Sequence, residues 1–422
     1  MRFKADELTT YISRGIAPKY TEIIDGAATV VNQKCIRDYQ VNLELARLND
    51  LSKRKVPTEK LVQKYDVLVN STGVGTLGRV GQFLGNEANL TVDTHVTIVR
   101  PDKDVIDPLF FGYLMKSKQS LIESFATGTT GQTELSRDSI KEMEVSFVEN
   151  REHQQAIGNF LLAIDRKLQL NKATNQTLEQ MAQAIFKSWF VDFDPVKAKM
   201  NGEQPEGMDE ATASLFPEKL DSETGIPVGW SQGVIADIAN LNAKSWTKKN
   251  QPEQVHYVDL ANTKNGVIET VTSYDFSEAP SRARRILNSG DTIVGTVRPG
   301  NRSFAFIGDT EQPLTGSTGF AVLSPKEECW TSFVYLATTN DDSIDEYARL
   351  ADGGAYPAIK PVVVADTPCA IPTKDIAQKF WQLTGSMLKK AHQNRLENEE
   401  LAKLRDTLLP KLLSGEIELE TK

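Results

Sequence analysis

The chain has 422 residues and a formal net charge of −9, from 48 lysine and arginine residues against 57 aspartate and glutamate residues. Its length predicts two or three domains with sizeable cores. So acidic a chain repels a phosphate backbone, which excludes a protein that coats nucleic acid through bulk charge but not a reader with local basic patches. Three scattered cysteines without a CxxC spacing argue against zinc ribbons and disulfide frameworks, and no apolar run reaches 18 residues, so we expect a soluble, cytoplasmic protein.

Residues 1–150 form the first predicted head, a mixed α/β region of short β-branched strands, Gly-rich loops and a modest helix. The strand at 66–70 enters the loop Gly73-Val-Gly-Thr-Leu-Gly78, which matches the GxGxxG pattern of dinucleotide sites. The residues after this loop are typical of another strand, not of a helix whose N-terminus could hold a phosphate. We therefore interpret the loop as a turn and expect no cofactor on this chain.

Residues 151–193 predict a long helix with a heptad seam. The seam positions are apolar at both ends over more than four heptads, and Asn171 and Asn175 form a polar layer in the middle. Because the seam is too long for an ordinary globular helix, it predicts pairing with another helix.

The remaining chain predicts a return path, a second head and a second long helix. Residues 194–225 are rich in proline, glycine and acidic residues and are interpreted as a linker. The second head is predicted at 226–372, the C-terminal helix at 373–415 and a tail at 416–422.

The second half of the chain repeats the first at a nearly constant offset. Segment 66–75 matches 291–300 at an offset of 225, segment 93–101 matches 317–325 at 224, Gly128–Gly131 matches 353–356 at 225, and Asn171 and Asn175 match Asn394 and Asn398 at 223. Such an offset, kept over about 110 residues, predicts a tandem duplication of a unit of about 190 residues.

Two copies of the same asparagine pair predict that the long helices pack against each other, with the polar layers fixing their register. The alternative is two unrelated amphipathic core helices. The predicted fold class is α+β: two globular α/β heads joined by two long helices packed as an antiparallel coiled coil, with a pseudo-two-fold internal repeat. The predicted helix-pairing residues are Leu161, Ile164, Leu168, Asn171, Asn175, Leu178, Met387, Asn394, Asn398 and Leu401. Thr384 and Arg405 depart from the apolar pattern of the second seam.

No sequence pattern of a catalytic or metal site is present: there is no P-loop, no GxSxG and no paired histidine motif. Recognition by loops is the remaining interpretation, because arginine and asparagine beside glycine suit base edges and lysine clusters suit phosphates. Solvated surface is the alternative for each patch. The candidate DNA-binding residues are Lys53, Arg54, Lys55, Ser71, Thr72, Gly75, Thr76, Arg79, Lys244, Trp246, Lys248, Lys249, Arg282, Arg284, Arg298, Asn301 and Arg302.

Three segments carry a resemblance to a known family: the helix at 151–195, its second copy at 375–419, and the phrase Ile226-Pro-Val-Gly-Trp230 that leads into 235–238. In these segments the chain resembles the specificity subunit of type I restriction-modification systems. In the two heads, the resemblance is limited to the order of the repeated elements and does not extend to individual residues. The first head also lacks the Pro-x-Gly-Trp phrase that precedes the second, so its edge strand is expected to begin differently.

The resemblance implies two target-recognition domains that bind double-stranded DNA, each reading one half of a bipartite gapped site, with the coiled coil setting the gap. It also implies two modification subunits that bind S-adenosylmethionine and methylate adenine at N6, and restriction subunits that use ATP and magnesium. This chain is then a non-catalytic recognition subunit in phage defence. Apolar residues near the helix ends are our candidates for partner docking, against plain intramolecular core: Ile185, Phe186, Trp189, Phe190, Leu408, Leu409 and Leu412.

The alternative function is a coiled-coil adaptor with two protein-binding heads and no DNA contact; an autonomous methyltransferase or nuclease lacks its motifs. Residues 1–150 hold 19 basic against 20 acidic residues, about −1, and residues 226–372 hold 12 against 17, about −5. Neither head has a surplus of positive charge, so we expect the isolated chain to bind DNA weakly and in a salt-sensitive manner.

Overall fold

The computed structural model describes residues 2–127 and 133–420. The chain divides into two compact units: unit 1 consists of Met1–Gln169 and Glu399–Lys422, and unit 2 of Leu170–Asn398. Both long helices contribute residues to both units. The predicted repeat segment Gly128–Gly131 and the last two residues of the tail lie outside the described residues.

Unit 1 is built on two four-stranded sheets within the described residues. Its strands β1–β12 span Phe3–Lys4, Thr9–Arg14, Tyr20–Thr21, Ala27–Val31, Ile36–Arg37, Gln40–Val41, Arg47–Asp50, Val67–Asn70, Val80–Gln82, Leu90–Val92, Val96–Pro101 and Glu144–Val145. The sheets have the orders β10-β4-β7-β3 and β2-β11-β8-β9, while β1 pairs with β12 and β5 with β6. The helices α1–α4 span Pro108–Ser117, Gln119–Ser124, Arg137–Lys141 and Arg151–Phe190.

Unit 2 is also built on two four-stranded sheets within the described residues. Its strands β13–β24 span Ser231–Val234, Ala239–Leu241, Gln254–Val258, Thr263–Lys264, Val267–Ile268, Thr272–Asp275, Ala283–Leu287, Thr292–Gly295, Phe304–Phe306, Leu314–Ser317, Phe320–Pro325 and Pro368–Ile371. The helices α5–α11 span Asp194–Met200, Glu210–Leu215, Ile235–Ile238, Thr331–Thr339, Asp341–Leu350, Pro361–Ala365 and Lys374–Ser414. The sheets have the orders β14-β23-β20-β21 and β18-β15-β22-β19, while β13 pairs with β24 and β16 with β17.

The first sheets of the two units are equivalent strand by strand, whereas the second sheets share three strands and differ in the fourth, because unit 1 adds β3 beside β7 and unit 2 adds β19 beside β22. In unit 1, β8 lies between β11 and β9, and in unit 2 β20 lies between β23 and β21. A parallel pair occurs at the same place in each second sheet, β4 with β10 and β15 with β22. The predicted α+β fold with an internal repeat is therefore confirmed. The first head does begin differently, since β1 has two residues where β13 has four.

The strand before each Gly-rich loop is buried on both faces. In β8, Val67 and Val69 belong to the core around α1, whereas Leu68 faces a second core under the other sheet. In β20, Val294 and Ile293 divide in the same way. Alternating side chains with both faces covered favour apolar residues at successive positions, which explains Val-Leu-Val in β8 and Ile-Val in β20.

The long helices α4 and α11 have 40 and 41 residues, a length of about 60 Å each at 1.5 Å per residue. Within the described residues, no helix combines the length and apolarity needed to cross a membrane.

The segment predicted as a linker has regular structure of its own. Helix α5 begins at Asp194 and has Pro195 in its first turn. Helix α6 follows the N-cap Asp209, whose side chain accepts a hydrogen bond from Thr212 N at 2.9 Å. Val196 and Phe216 lie buried in the core of unit 2, with the Phe216 ring 5.1 Å from the Trp189 ring. The segment therefore packs as part of unit 2.

Candidate nucleic-acid interface

Both units present a loop at the same point of the fold, where the central strand of the first sheet ends. After β8, the Ser71 carbonyl oxygen accepts a hydrogen bond from Leu135 N at 2.8 Å, and after β20 the Thr296 carbonyl oxygen accepts one from Ile359 N at 2.9 Å. In each unit, a later segment of the chain passes the C-terminal end of this strand and is hydrogen-bonded to the first residue of the loop. The two loops are therefore equivalent surfaces, one in each unit.

The loop of unit 1 is polar and internally hydrogen-bonded. Gln33 Nε2 donates to Thr72 Oγ1 at 2.6 Å, and Thr72 Oγ1 lies 2.8 Å from His95 Nδ1. Arg79 Nη2 donates to the Gly75 carbonyl oxygen at 2.8 Å. Gly75 is exposed with φ +72°, which a glycine adopts without steric cost. The loop is thus held from within and offers its tip to solvent.

Ser71, one of the predicted DNA-binding residues of this loop, is not at the surface. Ser71 is fully buried, and its hydroxyl lies 2.6 Å from the Thr97 hydroxyl inside the sheet. It directs the path of the loop through its backbone and has no surface with which to touch DNA. Thr72, Thr76 and Arg79 are partly exposed.

The Lys53-Arg54-Lys55 patch is exposed, as a phosphate contact requires. Lys53 Nζ lies 3.1 Å from Asp50 Oδ2, and this exposed pair costs little to open because water screens it. Hydrogen bonds from Ser52 and Lys53 lower the pKa of Asp50 to about 2, so this carboxylate stays charged beside the patch.

The candidates of unit 2 fall into an exposed group and an anchored group. The exposed side chains are Lys244, Lys248, Lys249, Arg282, Arg298 and Asn301. Trp246 is half-buried and donates its indole N–H to Thr315 Oγ1 at 2.9 Å, while Arg284 lies 5.0 Å from the Phe276 ring. Arg302 donates to Asn265 Oδ1 at 2.9 Å and to Asp341 Oδ1 at 2.6 Å. The anchored side chains hold the loops in place, and the exposed side chains remain accessible on the surface.

The polar layers of the two helix seams come together inside unit 2. Asn171 Nδ2 donates to Asn398 Oδ1 at 2.9 Å, and Asn394 Nδ2 donates to Asn175 Oδ1 at 2.9 Å. The later residue on α4, Asn175, pairs with the earlier residue on α11, Asn394. The two helix segments therefore run antiparallel. Asn171 and Asn394 are 3% and 2% exposed, so these bonds are made in a desolvated seam.

The other predicted helix-pairing residues are buried or half-buried. Leu161 and Ile164 are buried in unit 1, and Leu168, Leu178, Met387 and Leu401 are half-buried. The two departures from the pattern have specific partners. Thr384 Oγ1 donates to Ser332 Oγ at 2.7 Å, and Arg405 Nη1 donates to Asp165 Oδ1 at 2.8 Å.

Replacing both Asn171 and Asn394 by leucine is expected to keep the fold while loosening the helix register. Two buried leucines gain about 1.5–3 kcal/mol each, which offsets the hydrogen bonds lost by Asn175 and Asn398. We expect an unfolding free energy within about 1 kcal/mol of wild type and amide exchange in 170–190 that is roughly tenfold faster.

The control is Gln176→Leu, an exposed position on the same helix, which should change neither quantity. Amide exchange and monodispersity identical to wild type in the double variant would contradict a role of the asparagines in register.

The residues predicted to dock partner subunits pack in or against the cores of the two units instead. Phe186, Trp189 and Phe190 lie in the core of unit 2, where the Phe190 ring is 4.8 Å from the Phe380 ring. Ile185 packs against the same core, and Leu408, Leu409 and Leu412 pack in or against the core of unit 1. Their apolar side chains pack within the units themselves and offer little surface to a partner.

Two features of the structure were not predicted from the sequence. Asp165 accepts hydrogen bonds from Tyr113 Oη and Arg405 Nη1, both at 2.8 Å, beside the buried Lys116. Arg405, a basic residue at an otherwise apolar seam position, is the sequence feature from which a buried charged cluster could have been predicted. The second is Tyr356, an exposed aromatic residue after Gly353-Gly354 in the repeated loop.

Comparison with known proteins matches residues 46–180 to a family model described as the type I restriction modification DNA specificity domain. The chain is 25% identical over 465 residues to the type I restriction enzyme HindI specificity subunit of Haemophilus influenzae, covering 96% of this chain and 98% of that protein. It is 25% identical over 334 residues to the MjaIX specificity subunit of Methanocaldococcus jannaschii, covering 76% and 72%. The crystal structure of a type I restriction-modification S subunit from Mycoplasma genitalium superposes with a TM-score of 0.59 at 18% identity, covering 100% and 96%.

Proposed function

We propose that this chain, which is similar to specificity subunits of type I restriction-modification systems, is such a subunit and that each of its two units reads one half of a bipartite gapped DNA site. The observation that carries the proposal is the equivalence of the two loops. Both follow the central strand of a sheet with the same strand order, and both are pinned by a hydrogen bond from the crossing segment. One surface in two copies suits two half-sites, as in dimeric DNA readers.

In this proposal the paired helices set the number of unspecified base pairs between the half-sites. The hydrogen bonds of Asn171 with Asn398 and of Asn394 with Asn175 support it, because they define one register for the pair. A slip by one heptad would leave these amides without their partners in a desolvated seam. A single register gives a single gap length.

The chain acts as a recognition subunit, and the chemistry belongs to its partners. Two modification subunits bind S-adenosylmethionine and methylate adenine, and restriction subunits complete the nuclease with ATP and magnesium. Among the described residues, no cluster of histidine, cysteine or carboxylate side chains could hold a metal ion. The heads carry about −1 and −5 charges (19 against 20 and 12 against 17), so the partners supply most of the attraction to phosphate.

Co-expression with its modification subunit tests the proposal. The expected result is N6-methyladenine within a single gapped motif of the host DNA, read by sequencing that detects modified bases. Unmodified DNA beside a modification subunit that is active with another specificity subunit would contradict it, and would favour the adaptor with protein-binding heads.

Exchanging residues 226–372 for the second head of another family member separates the two half-sites. We expect the half of the motif read by unit 2 to change completely while the other half and the gap stay the same, because the exchanged segment leaves unit 1 and both helices intact. The reciprocal exchange of residues 1–150 is the control and should change only the half of the motif read by unit 1. A change in both halves, or in neither, would refute one reader per unit.

A further inference from the structure

An arginine and a tyrosine are presented together on the surface of unit 2. The guanidinium carbon of Arg298 lies 4.4 Å from the centre of the Tyr356 ring, and Arg298 Nη2 donates to the Ala355 carbonyl oxygen at 2.7 Å. Tyr356 is 69% exposed. A ring so exposed adds little to the core, so its contact with the guanidinium is the main interaction that the structure gives it.

The backbone of Arg298 is left-handed, at φ +49° and ψ 61°. The equivalent position of unit 1, at the repeat offset of 225, is Gly73, with φ +104°. The fold therefore needs positive φ here, which glycine adopts freely and arginine only at a cost. Unit 2 keeps arginine where glycine would be more stable, which points to a use for the side chain.

The hairpin that carries Tyr356 is defined by its backbone. Asp352 and Ala358 form a bridge at its base, and Gly353 turns the chain at φ +119°. A Cβ atom on Gly353 would lie 3.2 Å from the Tyr356 carbonyl oxygen, closer than an ordinary contact. Arg298 N also donates to the Pro357 carbonyl oxygen at 2.7 Å. These contacts fix the hairpin tip against the loop that carries Arg298, while Tyr356 stays exposed.

The charges around the pair leave Arg298 free for a ligand. Arg302, the other arginine of the loop, is held by Asp341 at 2.6 Å. Within the part of the chain that the structure describes, no carboxylate forms an ion pair with Arg298. A guanidinium has five N–H donors in a fixed fork, and one bond to Ala355 leaves an edge for a second planar partner.

We propose that Arg298 and Tyr356 form a base-reading pair: the guanidinium of Arg298 donates two hydrogen bonds to O6 and N7 of a guanine in the major groove, and Tyr356 is the positioning residue that holds its plane. A guanine edge is the base edge that matches a guanidinium fork. The inference rests on the proposed function. Because Gly73 stands at the equivalent position of unit 1, the pair acts on one half-site only.

The test uses base-resolved methylation by the complex with its modification subunit. Arg298→Gly suits the left-handed backbone and should fold at least as well as wild type. It is expected to lower the preference for guanine at one position of one half-site by roughly 10- to 100-fold. Arg298→Lys keeps the charge but not the planar fork, and is expected to retain only part of this preference.

Variants of Tyr356 test its positioning role. Tyr356→Ala is expected to weaken the same base preference by roughly 3- to 10-fold, whereas Tyr356→Phe should retain it, because the ring face and not the hydroxyl contacts the guanidinium. A purely structural role would lower overall methylation without changing which base is preferred.

The control is Arg349→Ala, which removes a 70% exposed arginine of α9 and should leave the motif unchanged. An unaltered motif in Arg298→Gly would overturn the base-reading pair. Full preference in Arg298→Lys would also overturn it, because a planar fork held by Tyr356 would then not be needed. A wild-type complex that methylates no gapped motif would overturn the proposed function and the pair with it.

Discussion

Replacing Asp165 by alanine is expected to lower the free energy of unfolding of unit 1 by about 3–5 kcal/mol, the cost of breaking a buried ion pair from one side. The carboxylate accepts from Tyr113 Oη and Arg405 Nη1 at 2.8 Å each, and Lys116 Nζ lies 3.6 Å away. The side chains of Lys116 and Arg405 are only 6% and 14% exposed. Without Asp165, two cations share a desolvated site with a hydroxyl that has lost its acceptor.

The pH dependence identifies Lys116 as the group that Asp165 neutralises. Burial lowers the pKa of Lys116 to about 8, and Asp165 opposes that effect, so its removal lowers this pKa further. A lysine whose folded pKa is depressed destabilises the fold wherever the folded state carries the charge, and this cost fades as pH rises through the folded pKa. The deficit of Asp165→Ala should therefore be largest at the acidic end of the range and smallest above pH 8, where Lys116 is largely neutral even with Asp165 present.

Urea unfolding between pH 6 and 9, followed by hydrogen exchange of α1 peptides, measures this effect. Asp406→Ala is the matched control: Asp406 also accepts from Arg405, at 2.8 Å, but is 61% exposed. Its loss should cost less than about 1 kcal/mol. Equal losses for both aspartates, or a deficit that does not vary with pH, would contradict this account of the cluster.

A second large effect is expected from equivalent aspartates in the two units. Asp66, which is fully buried, receives two hydrogen bonds from Arg100, at 2.9 and 2.8 Å. Asp291 holds the same place in unit 2, at the offset of 225, where its Oδ2 accepts from Asn288 N at 2.7 Å. The position equivalent to Arg100 is Ser324, so burial raises the pKa of Asp291 without a guanidinium to oppose it.

Asp66→Asn is therefore expected to destabilise unit 1 by about 3 kcal/mol, because Arg100 stays buried with its counter-charge removed. Asp291→Asn should lie within about 1 kcal/mol of wild type or be stabilising, since the amide oxygen still accepts from Asn288 N and a desolvated charge disappears. Each variant serves as the other's control. Hydrogen exchange of peptides from β8 and β20 reports the two units separately, and equal effects would show that Arg100 contributes nothing.

The repeat was readable from the sequence because it concerns strand order and loop position. The offset that joins Asp66 to Asp291 also joins β8 to β20. The asparagine layers were readable because a heptad places every seam residue on one face of a helix. Both are patterns of spacing along the chain.

The use of individual side chains was not readable in the same way. Ser71 and Trp246 have the chemistry of DNA contacts, yet one is enclosed in the sheet and the other donates to Thr315. Phe186 and Phe190 are as apolar as a docking site requires, yet they fill a core. Residue type gives no information about which neighbours fold onto it.

The sequence alone determined the duplication, the α+β class, the helix seams and the absence of catalytic patterns, because these depend on periodicity and residue spacing. Only the tertiary structure decided which aspartate meets an arginine, which aromatic residues are buried, and that Arg298 stands against Tyr356 on a left-handed backbone. These contacts join residues tens of positions apart, 58 in the case of Arg298 and Tyr356. Burial and charge pairing at such separations depend on the path of the folded chain, which no local pattern encodes.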